Sequence, residues 1–321
     1  AHMLEEAVLA DRVGLDVYAV GEHHRPDFLA SAPAVLLAAI AARTERIRLA
    51  SAVTVLSSDD PVRVFQQFST LDLISNGRAE IIVGRGSFIE SYPLFGFDLD
   101  DYDVLFSEKL DLLLKLREKT AITWSGKHRA PLSGQGVYPR PVQTLLPVKI
   151  GVGGTPQSFV RAGMLGLPLV VAIIGGEPHR FRPLVDLYRE AGRRAGHAAE
   201  TLSVAVHVHG HVGETDAAAH QAFFPVYEAG FNRIGRERGW PPVTRAQYDA
   251  QTQPAGALTA GSPETVAAKI VGMYDSLGGI DRVTMIQGSG GLPHDRALAS
   301  IELLGTKVKP LVDAAIKAKL N

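Results

Sequence analysis

The stretch from Leu4 to Val20, LEEAVLADRVGLDVYAV, combines a helix, a sharp joint and a strand. Apolar residues recur every three or four positions over Leu4–Val13, as on the buried side of a helix. Gly14 supplies the left-handed turn that ends many helices. The apolar run Val17–Val20 follows at once and predicts a strand. This order of elements predicts a fold in which helices and parallel strands alternate.

The same joint recurs along the chain, at Gly166-Leu167-Pro168-Leu169 and at Gly279-Ile280-Asp281-Arg282, with a looser version at Asn76–Ala79. The predicted strands are rich in Val and Ile and alternate little in polarity, which is typical of parallel strands covered on both faces. They are Val17–Val20, Ile47–Val55, Glu80–Gly84, Val148–Gly153, Leu169–Ile174, Ser203–Val212 and Arg282–Ile286. Their number, seven, favours a closed (β/α) barrel over an open doubly wound sheet.

The helices predicted between these strands each carry one apolar stripe. They are Leu4–Val13, Pro33–Arg43, Pro61–Ile74, Val104–Glu118, Pro156–Leu165, Pro178–Arg194, Thr215–Glu228, Pro263–Ser276 and Pro293–Lys319. We predict a single barrel domain over residues 1–321 with two insertions. Residues 122–146 are expected to form an irregular excursion or a short hairpin, and residues 230–261 a mobile, irregular loop. Because the chain opens with a helix, the first barrel strand is expected to be missing from it.

Composition excludes several classes of protein. The chain has 34 acidic and 33 basic residues, so it lacks the basic excess that a nucleic-acid partner requires. It contains no cysteine, which removes disulfides, thiolate metal sites and cysteine nucleophiles. The longest apolar runs fall far short of the roughly 20 residues that span a bilayer. With no signal peptide either, we expect a cytoplasmic protein without a membrane partner.

Ligands of barrel proteins bind where strands end, so the residues after each strand are the candidates for chemistry. His23 and His24 follow the first strand in a Glu-His-His run and could act as a general base or hydrogen-bond a ligand. Packing at the barrel rim is an equally good interpretation. Arg85 stands between Gly84 and Gly86 after another strand and could pair with an anion, although an isolated loop arginine is more often a surface residue.

The loop Gly153-Gly154-Thr155-Pro156-Gln157-Ser158 has the pattern of an anion site. Its two glycines allow close approach to the backbone, and Thr155 and Pro156 suit the start of a helix. Free N–H groups at a helix start favour a phosphate. Capping alone is an alternative explanation, because Asp60-Pro61 and Ser262-Pro263 share the pattern without the glycines.

Three histidines, His207, His209 and His211, alternate in one predicted strand and therefore face the same side. The outer two would lie roughly 13 Å apart, which is too far to share one metal ion. No Walker loop, Gly-x-Ser-x-Gly elbow or metal motif is found, so we predict no metal site. One of these histidines could line a pocket.

Several of these stretches together resemble the bacterial luciferase-like, flavin-dependent monooxygenases. They are VYAVGEHH at 17–24, AVTVL at 52–56 followed by DPVR at 60–63, LDLISNGR at 71–78, VGRG at 83–86, and GGTPQS at 153–158 followed by GMLGLP at 163–168. Each piece is short, but the pieces occur in order over nearly the whole chain. The resemblance implies a (β/α)8 barrel that binds FMN at the C-terminal ends of its strands.

The resemblance also implies roles for particular residues. Arg85 and the loop residues Gly153, Gly154, Thr155, Gln157 and Ser158 fall where the family holds the FMN phosphate. Ala52–Val53 falls where the family often has a non-proline cis peptide under the flavin ring, and His23 matches an active-site histidine, with His24 beside it. Gly84 takes the position of a reactive cysteine in true luciferases, so light emission is not implied.

The function expected from these observations is that of a two-component monooxygenase. A separate flavin reductase would supply reduced FMN, O2 would be the oxidant, and a small organic compound would be the substrate. Residues 230–261 would act as a lid. The alternatives are a non-catalytic flavin-binding protein, a deazaflavin-dependent dehydrogenase and, with no suitable lysine found, an aldolase-like barrel. A homodimer through Pro33–Arg43 and Pro61–Ile74 is expected, since the alanines of the first of these helices allow close approach.

Overall fold

The computed structural model describes residues 1–287 and 291–320. Its strands are β1 Val17–Val20, β2 Arg48–Ser51, β3 Thr54–Val55, β4 Ala79–Gly84, β5 Ala121–Trp124, β6 Leu132–Gly136, β7 Val148–Val152, β8 Leu169–Ala172, β9 Val204–Val212, β10 Thr259–Gly261 and β11 Arg282–Ile286. Its helices are α1 His2–Arg12, α2 Pro33–Ala41, α3 Pro61–Ile74, α4 Ser91–Leu94, α5 Tyr102–Glu118, α6 Pro156–Met164, α7 Arg182–Arg194, α8 Asp216–Arg238, α9 Arg245–Thr252, α10 Pro263–Leu277, α11 His294–Leu303 and α12 Lys309–Leu320.

The described residues fall into two compact units, which are considered separately. One is Asp16–Gly151; the other combines Ala1–Leu15 with the chain from Val152 onward. In the first unit, parallel pairing joins β1 to β2, β2 to β4, and β4 to both β3 and β7. The strand β4 is buried along its whole length, as expected for a strand covered on both faces. The carboxyl ends of these parallel strands carry most of the predicted site residues.

In the second unit, the long strand β9 is the centre of the sheet. It pairs in parallel with β8, β10 and β11. Tyr188 of α7 is fully buried beneath this sheet, and its hydroxyl donates to the carbonyl oxygens of Leu167 and Ser203 at 3.0 and 3.2 Å. These two bonds satisfy backbone groups on the chain just before β8 and β9, so α7 is tied to the amino-terminal end of the sheet.

Most predicted elements are found with ends shifted by one to three residues, but three predictions need correction. The predicted strand Ile47–Val55 is broken into β2 and β3 by a cis peptide bond between Ala52 and Val53. The predicted helix Pro293–Lys319 contains a π-helical turn at Leu304–Val308. The third correction concerns residues 230–261, which were expected to be irregular.

Residues 230–261 are largely regular. The helix α8 continues through Gly230 and Gly235, both buried, to end at Gly239 with a φ of +67°. The helix α9 follows, starting with a capping box between Thr244 and Gln247, and β10 closes the segment. Each glycine in a helix costs only about 1 kcal/mol of stability. The burial of Phe223 and Tyr227 of the same helix against Tyr248 outweighs this cost.

Residues 122–146 contain the short hairpin that was one of the two expected forms. Its strands β5 and β6 pair antiparallel. The prediction of one domain over residues 1–321 stays a prediction. Among the helices of the described residues, none combines the length and the apolar character needed to cross a membrane.

Candidate active site

Glu22, which follows β1, organises the first group of candidate residues. Its carboxylate is buried, and Oε2 accepts the N–H of Val55 at 2.9 Å. Its Oε1 lies 2.9 Å from His24 Nε2. Glu22 therefore connects the end of β1 to β3 and fixes the orientation of the His24 ring. Sequence reasoning quoted Glu22 but assigned it no role; a carboxylate directly after a buried strand was the available signal.

His23 lies among aromatic side chains. Its ring centroid is 3.9 Å from that of Phe28 and 5.3 Å from that of Phe88, and its backbone N–H donates to Ala30 at 2.8 Å. Burial is the main cause that lowers the pKa of His23 to about 4. The imidazole is therefore neutral at pH 7, where it can donate or accept a hydrogen bond but does not carry a proton to give away as an imidazolium acid.

A non-proline cis peptide joins Ala52 to Val53, as the family resemblance led us to expect. The Val53 side chain occupies space that side chains on two other strands would need. A Cβ on Gly84 would lie 2.7 Å from Val53 Cγ2, and a Cβ on Gly151 would lie 2.8 Å from Val53 Cγ1. Gly84, predicted to bind the cofactor, thus has a packing reason to be glycine.

Buried hydroxyl groups hold the chain on both sides of this cis peptide. Thr54 Oγ1 donates to Ser51 Oγ at 2.9 Å, and Ser51 Oγ donates to the Ile82 carbonyl at 3.2 Å. The Ile82 N–H in turn donates to Ser51 Oγ, also at 3.2 Å. The cis peptide is therefore framed by hydrogen bonds to β4.

Arg85 carries its guanidinium beside an acidic and an aromatic residue. Nη1 donates to Asp103 Oδ1 at 2.5 Å, and Cζ lies 4.9 Å from the centre of the Tyr102 ring. Its carbonyl accepts the Tyr92 hydroxyl at 3.0 Å. The Asp103 carboxylate is about two-thirds exposed, so an incoming anion would compete with it for the guanidinium.

Lys109 of α5 is a buried cation that sequence reasoning missed. Its Nζ donates to the Ser57 carbonyl at 2.7 Å and lies 3.7 Å from the centre of the Phe97 ring. Burial lowers the pKa of Lys109 to about 8 and raises the pKa of nearby Asp59. The available signal was a lysine on the apolar side of a helix, between Phe106 and Leu110.

The loop Gly153–Ser158 belongs to the second unit. Both glycines are exposed, and a Cβ on either would meet nothing within 4 Å. Thr155 is the N-cap of α6 as predicted, but its side chain accepts no hydrogen bond from the helix. The N-caps Thr215, Thr244 and Ser262 do accept one. The start of α6 therefore leaves backbone donors that its own cap does not satisfy.

The three alternating histidines of β9 are buried or half-buried. Burial lowers the pKa of each, His207, His209 and His211, to about 4. His209 makes edge contacts with the rings of Tyr227 and Phe231. Within residues 1–287 and 291–320, no three His, Asp or Glu side chains are grouped so as to hold a metal ion.

The predicted site residues thus fall in both units. His23, His24, Ala52, Val53, Gly84 and Arg85 lie in the unit Asp16–Gly151, and the loop residues lie in the other. Within the first unit, the structure brings Val53 against Gly84 and joins His24 to Val55 through Glu22. Arg85 is instead directed to Asp103. Sequence spacing alone predicted none of these three contacts: Val53 with Gly84, Glu22 with His24 and Val55, and Arg85 with Asp103.

The chain belongs to the luciferase-like monooxygenase family, whose sequence profile matches residues 1–279. It is 32% identical over 180 residues to N-acetyl-S-alkylcysteine monooxygenase of Bacillus subtilis, an alignment that covers 55% of this chain and 52% of that protein. It is 30% identical over 177 residues to an F420-dependent glucose-6-phosphate dehydrogenase of Amycolatopsis mediterranei, covering 51% of each. The alignments span between 36% and 58% of the curated relatives' lengths.

Solved structures share the fold. The monooxygenase RslO1 of Streptomyces bottropensis superposes with a TM-score of 0.83 at 22% identity, over 96% of this chain and 92% of that one. The oxygenating constituent of 3,6-diketocamphane monooxygenase of Pseudomonas putida, solved with FMN, superposes with a TM-score of 0.78 at 20% identity, over 97% and 92%. The predicted fold class, a luciferase-like TIM barrel, is confirmed.

Proposed function

We propose that the protein is a two-component, FMN-dependent monooxygenase that takes reduced FMN from a separate flavin reductase and oxygenates a small organic substrate with O2. The observation that carries this proposal is the polar group Glu22, His23 and His24 after the carboxyl end of β1, with His24 held by Glu22 and His23 packed against Phe28 and Phe88. When bound, reduced FMN supplies the two electrons that activate O2, so that one oxygen atom enters the substrate and the other leaves as water.

The residues of the unit Asp16–Gly151 fit a flat ring system. Glycines at 84 and 151 leave room for the Val53 side chain beside β4 and β7. His23 is neutral and surrounded by Phe28 and Phe88, and it can hydrogen-bond a ligand atom while the aromatic rings exclude water. His24, oriented by Glu22, is the second polar group of this strand end.

The loop Gly153–Ser158 fits a phosphate. Its glycines have open space around them, and the backbone donors at the start of α6 lack a side-chain cap. Such donors, together with the positive end of a helix dipole, favour a dianion. We propose that Gly153, Gly154, Thr155, Gln157 and Ser158 surround the FMN phosphate.

A deazaflavin-dependent dehydrogenase is the second candidate, because one relative of 30% identity is named as F420-dependent. The two candidates differ in oxygen consumption. We propose FMN because the Bacillus subtilis relative of 32% identity is named a monooxygenase. The fold neighbour solved with FMN also superposes with a higher TM-score, 0.78, than the one solved with an F420 adduct, 0.75.

Parallel titrations with FMN and F420, followed by oxygen-uptake assays with a flavin reductase and NADH, test the proposal. We expect tight binding of reduced FMN, weak binding of F420, and substrate-dependent oxygen consumption. His23→Asn should lower turnover at least about tenfold, the usual range for losing a positioned proton-transfer or hydrogen-bonding group. His179→Asn, at an exposed histidine, is the matched control.

Preference for F420 without oxygen uptake would replace the proposal with the dehydrogenase. Tight FMN binding with no activity in any assay, and no effect of His23→Asn, would indicate a non-catalytic flavin-binding protein. If the purified chain bound neither cofactor, both enzymatic assignments would fail.

A further inference from the structure

The second unit contains a cavity of about 350 Å³ beneath α8 and α9. Ile174 and Gly175, which follow the carboxyl end of β8, form one side. The other walls come from α8 and α9 and the segment between them. They are Tyr227, Phe231, Val243, Gln247, Tyr248 and Gln251. This volume lies within the range of small-molecule sites, and carboxyl ends of parallel strands are where α/β proteins bind ligands.

The walls of this cavity are aromatic and tightly held. The rings of Tyr227 and Phe231 are 4.2 Å apart, and those of Tyr227 and Tyr248 are 5.7 Å apart. Behind them, Phe223 and Leu258 are fully buried in the same cluster. Tyr248 is fully buried and Tyr227 is 8% exposed, so the ring of half-buried Phe231 is the main aromatic surface that a flat apolar ligand would meet.

The cavity carries no formal charge. None of the residues that line it is Asp, Glu, Lys, Arg or His. Burial raises the pKa of Tyr227 to about 12, so its hydroxyl stays protonated. Burial also lowers the pKa of His209, whose ring contacts Tyr227 and Phe231, to about 4, so it stays neutral. An ionised ligand would lose its hydration here without gaining a counter-charge.

Three hydrogen-bond donors of the lining have no acceptor among the described residues. Gln247 Oε1 accepts the Thr244 N–H at 2.9 Å, and Gln251 Oε1 accepts the Gly176 N–H at 3.0 Å. Because each side-chain oxygen accepts one of these bonds, the side-chain amide nitrogens of Gln247 and Gln251 are the donors without a partner among the described residues. The Tyr227 hydroxyl likewise makes no bond to any described residue, and Tyr227 is only 8% exposed. Gln247 is exposed, Gln251 is half-buried and Tyr227 is buried. As donors that line one cavity, they match a ligand oxygen that only accepts hydrogen bonds.

We propose that this cavity binds an uncharged aromatic compound with a carbonyl oxygen, the aromatic part lying against Phe231 and Tyr227 and the oxygen facing the amides of Gln247 and Gln251. This proposal concerns the cavity of the second unit by itself and goes beyond the proposed function. The binding itself needs no cofactor and can be measured on the chain alone.

The test uses two probes of the same shape, 2-acetylnaphthalene and 2-naphthoate, in equilibrium dialysis against the full chain at pH 7.5. The ketone should bind at least about tenfold more tightly than the carboxylate. The carboxylate would lose part of its hydration in the cavity, and the cavity offers no counter-ion to offset that loss. Equal affinity for the two probes, tighter binding of the carboxylate, or binding of neither would overturn the proposal.

Two variants address the donors while keeping the structural hydrogen bonds. Gln251→Glu retains an oxygen for the Gly176 N–H but replaces the amide donor with a negative charge, and Tyr227→Phe removes only a hydroxyl. Each should weaken ketone binding about fivefold to tenfold, the value of one buried hydrogen bond. Gln221→Glu adds the same charge at an exposed position of α8 and should have no effect. Unchanged ketone affinity in both Gln251→Glu and Tyr227→Phe would overturn the assignment.

Failure of this proposal and failure of the proposed function give different results. Ketone binding that responds to the two variants, without any FMN-dependent oxygen uptake, would leave the cavity assignment in place and remove the monooxygenase. Oxygen uptake with other substrates, together with no ketone binding, would remove the cavity assignment alone.

Discussion

At the scale of single residues, the Val53 side chain leaves no space for a side chain at position 84 or 151. Val53 fills the space beside the Cα atoms of Gly84 and Gly151, and the nearest methyl carbons would lie less than 3 Å from an added Cβ. Real carbon atoms do not approach so closely, so the three positions constrain each other. Glycine at 84 is therefore required by packing whether or not a ligand touches it.

Gly84→Ala should destabilise the protein by about 1–3 kcal/mol, because the added methyl group overpacks a buried site. The double variant Gly84→Ala with Val53→Ala should recover part of this loss, since the opposing methyl groups are gone. Urea unfolding followed by circular dichroism measures both. Gly153→Ala, where nothing lies within 4 Å, is the control. A double variant no more stable than Gly84→Ala alone would contradict the packing explanation.

Arg85 allows a separate test of phosphate recognition. Arg85→Met should weaken FMN binding about tenfold, as for loss of a charged hydrogen bond, and leave riboflavin binding unchanged, because riboflavin lacks the phosphate. Asp103→Asn removes the competing carboxylate and keeps the guanidinium, so FMN affinity should stay equal or rise. Fluorescence titration gives the dissociation constants of the wild type and of both variants. Equal losses for FMN and riboflavin in Arg85→Met would show that Arg85 does not recognise the phosphate.

At the scale of elements, one buried lysine holds the segment that carries the cavity. Lys269 of α10 is 5% exposed, and its Nζ donates to the carbonyl oxygens of Thr252, Gln253 and Gly256. These carbonyls lie at the end of α9 and in the turn after it, where a helix leaves acceptors unpaired. A single ammonium group thus satisfies three backbone acceptors, at Thr252, Gln253 and Gly256, and holds the end of α9 in place.

Lys269→Met should cost about 2–4 kcal/mol, since the carbonyls lose a charged donor and stay buried. The loss should be concentrated near α9, so hydrogen exchange should accelerate most over residues 252–258. Lys317→Met, at an exposed position of α12, provides the comparison. Acceleration spread evenly over all protected amides would argue against a local role for Lys269.

The histidines of β9 make stability depend on pH. His211 is 3% exposed, and its Nδ1 has no hydrogen-bond partner among the described residues. Its folded-state pKa of about 4 is below the unfolded value near 6.5, so between these values the unfolded chain binds more protons. Stability is therefore lost as the pH falls from about 6.5 to 4, by up to about 1.4 kcal/mol per pH unit for each such histidine.

His211→Phe should make the fall in unfolding free energy between pH 6.5 and 4.5 shallower by about one proton's contribution, about 1.4 kcal/mol per pH unit. The ring would still stack on Phe223, whose centroid lies 5.9 Å from that of His211. His179→Gln, at an exposed histidine, should leave the slope unchanged. Urea titrations across this pH range give the slopes, and parallel slopes for wild type and His211→Phe would contradict the prediction.

At the scale of the whole molecule, apolar side chains exposed on α2 and α3 motivate the homodimer that we propose. Val35 is 70% exposed, and Ile74 is 53% exposed. Leu37, Ile40 and Ala41 of α2 are buried, so the small residues of this helix already pack within the unit. The outward apolar residues are the ones left for a second copy of the chain.

Val35→Lys should shift the protein from dimer to monomer. Burying an unpaired ammonium group at the interface costs more free energy than burial of the valine side chain contributes to association. Light scattering after size exclusion measures the mass. Val142→Lys, at another exposed apolar residue, is the control for added charge. A wild-type monomer at all concentrations, or a dimer untouched by Val35→Lys, would remove this interface.

The strands, their joints and most helices could be predicted from local sequence, because apolar periodicity and glycine turns act over a few residues. The regular structure of residues 230–261 could not, since Gly230 and Gly235 oppose a helix locally and are outweighed by the aromatic packing of Phe223, Tyr227 and Tyr248. Likewise, only tertiary contacts assign the roles of Glu22, Lys109 and Lys269. The backbone groups that they bind at Val55, Ser57 and Gly256 lie 13 to 52 residues away along the chain. Burial, which no sequence window reports, lowers the pKa of both lysines.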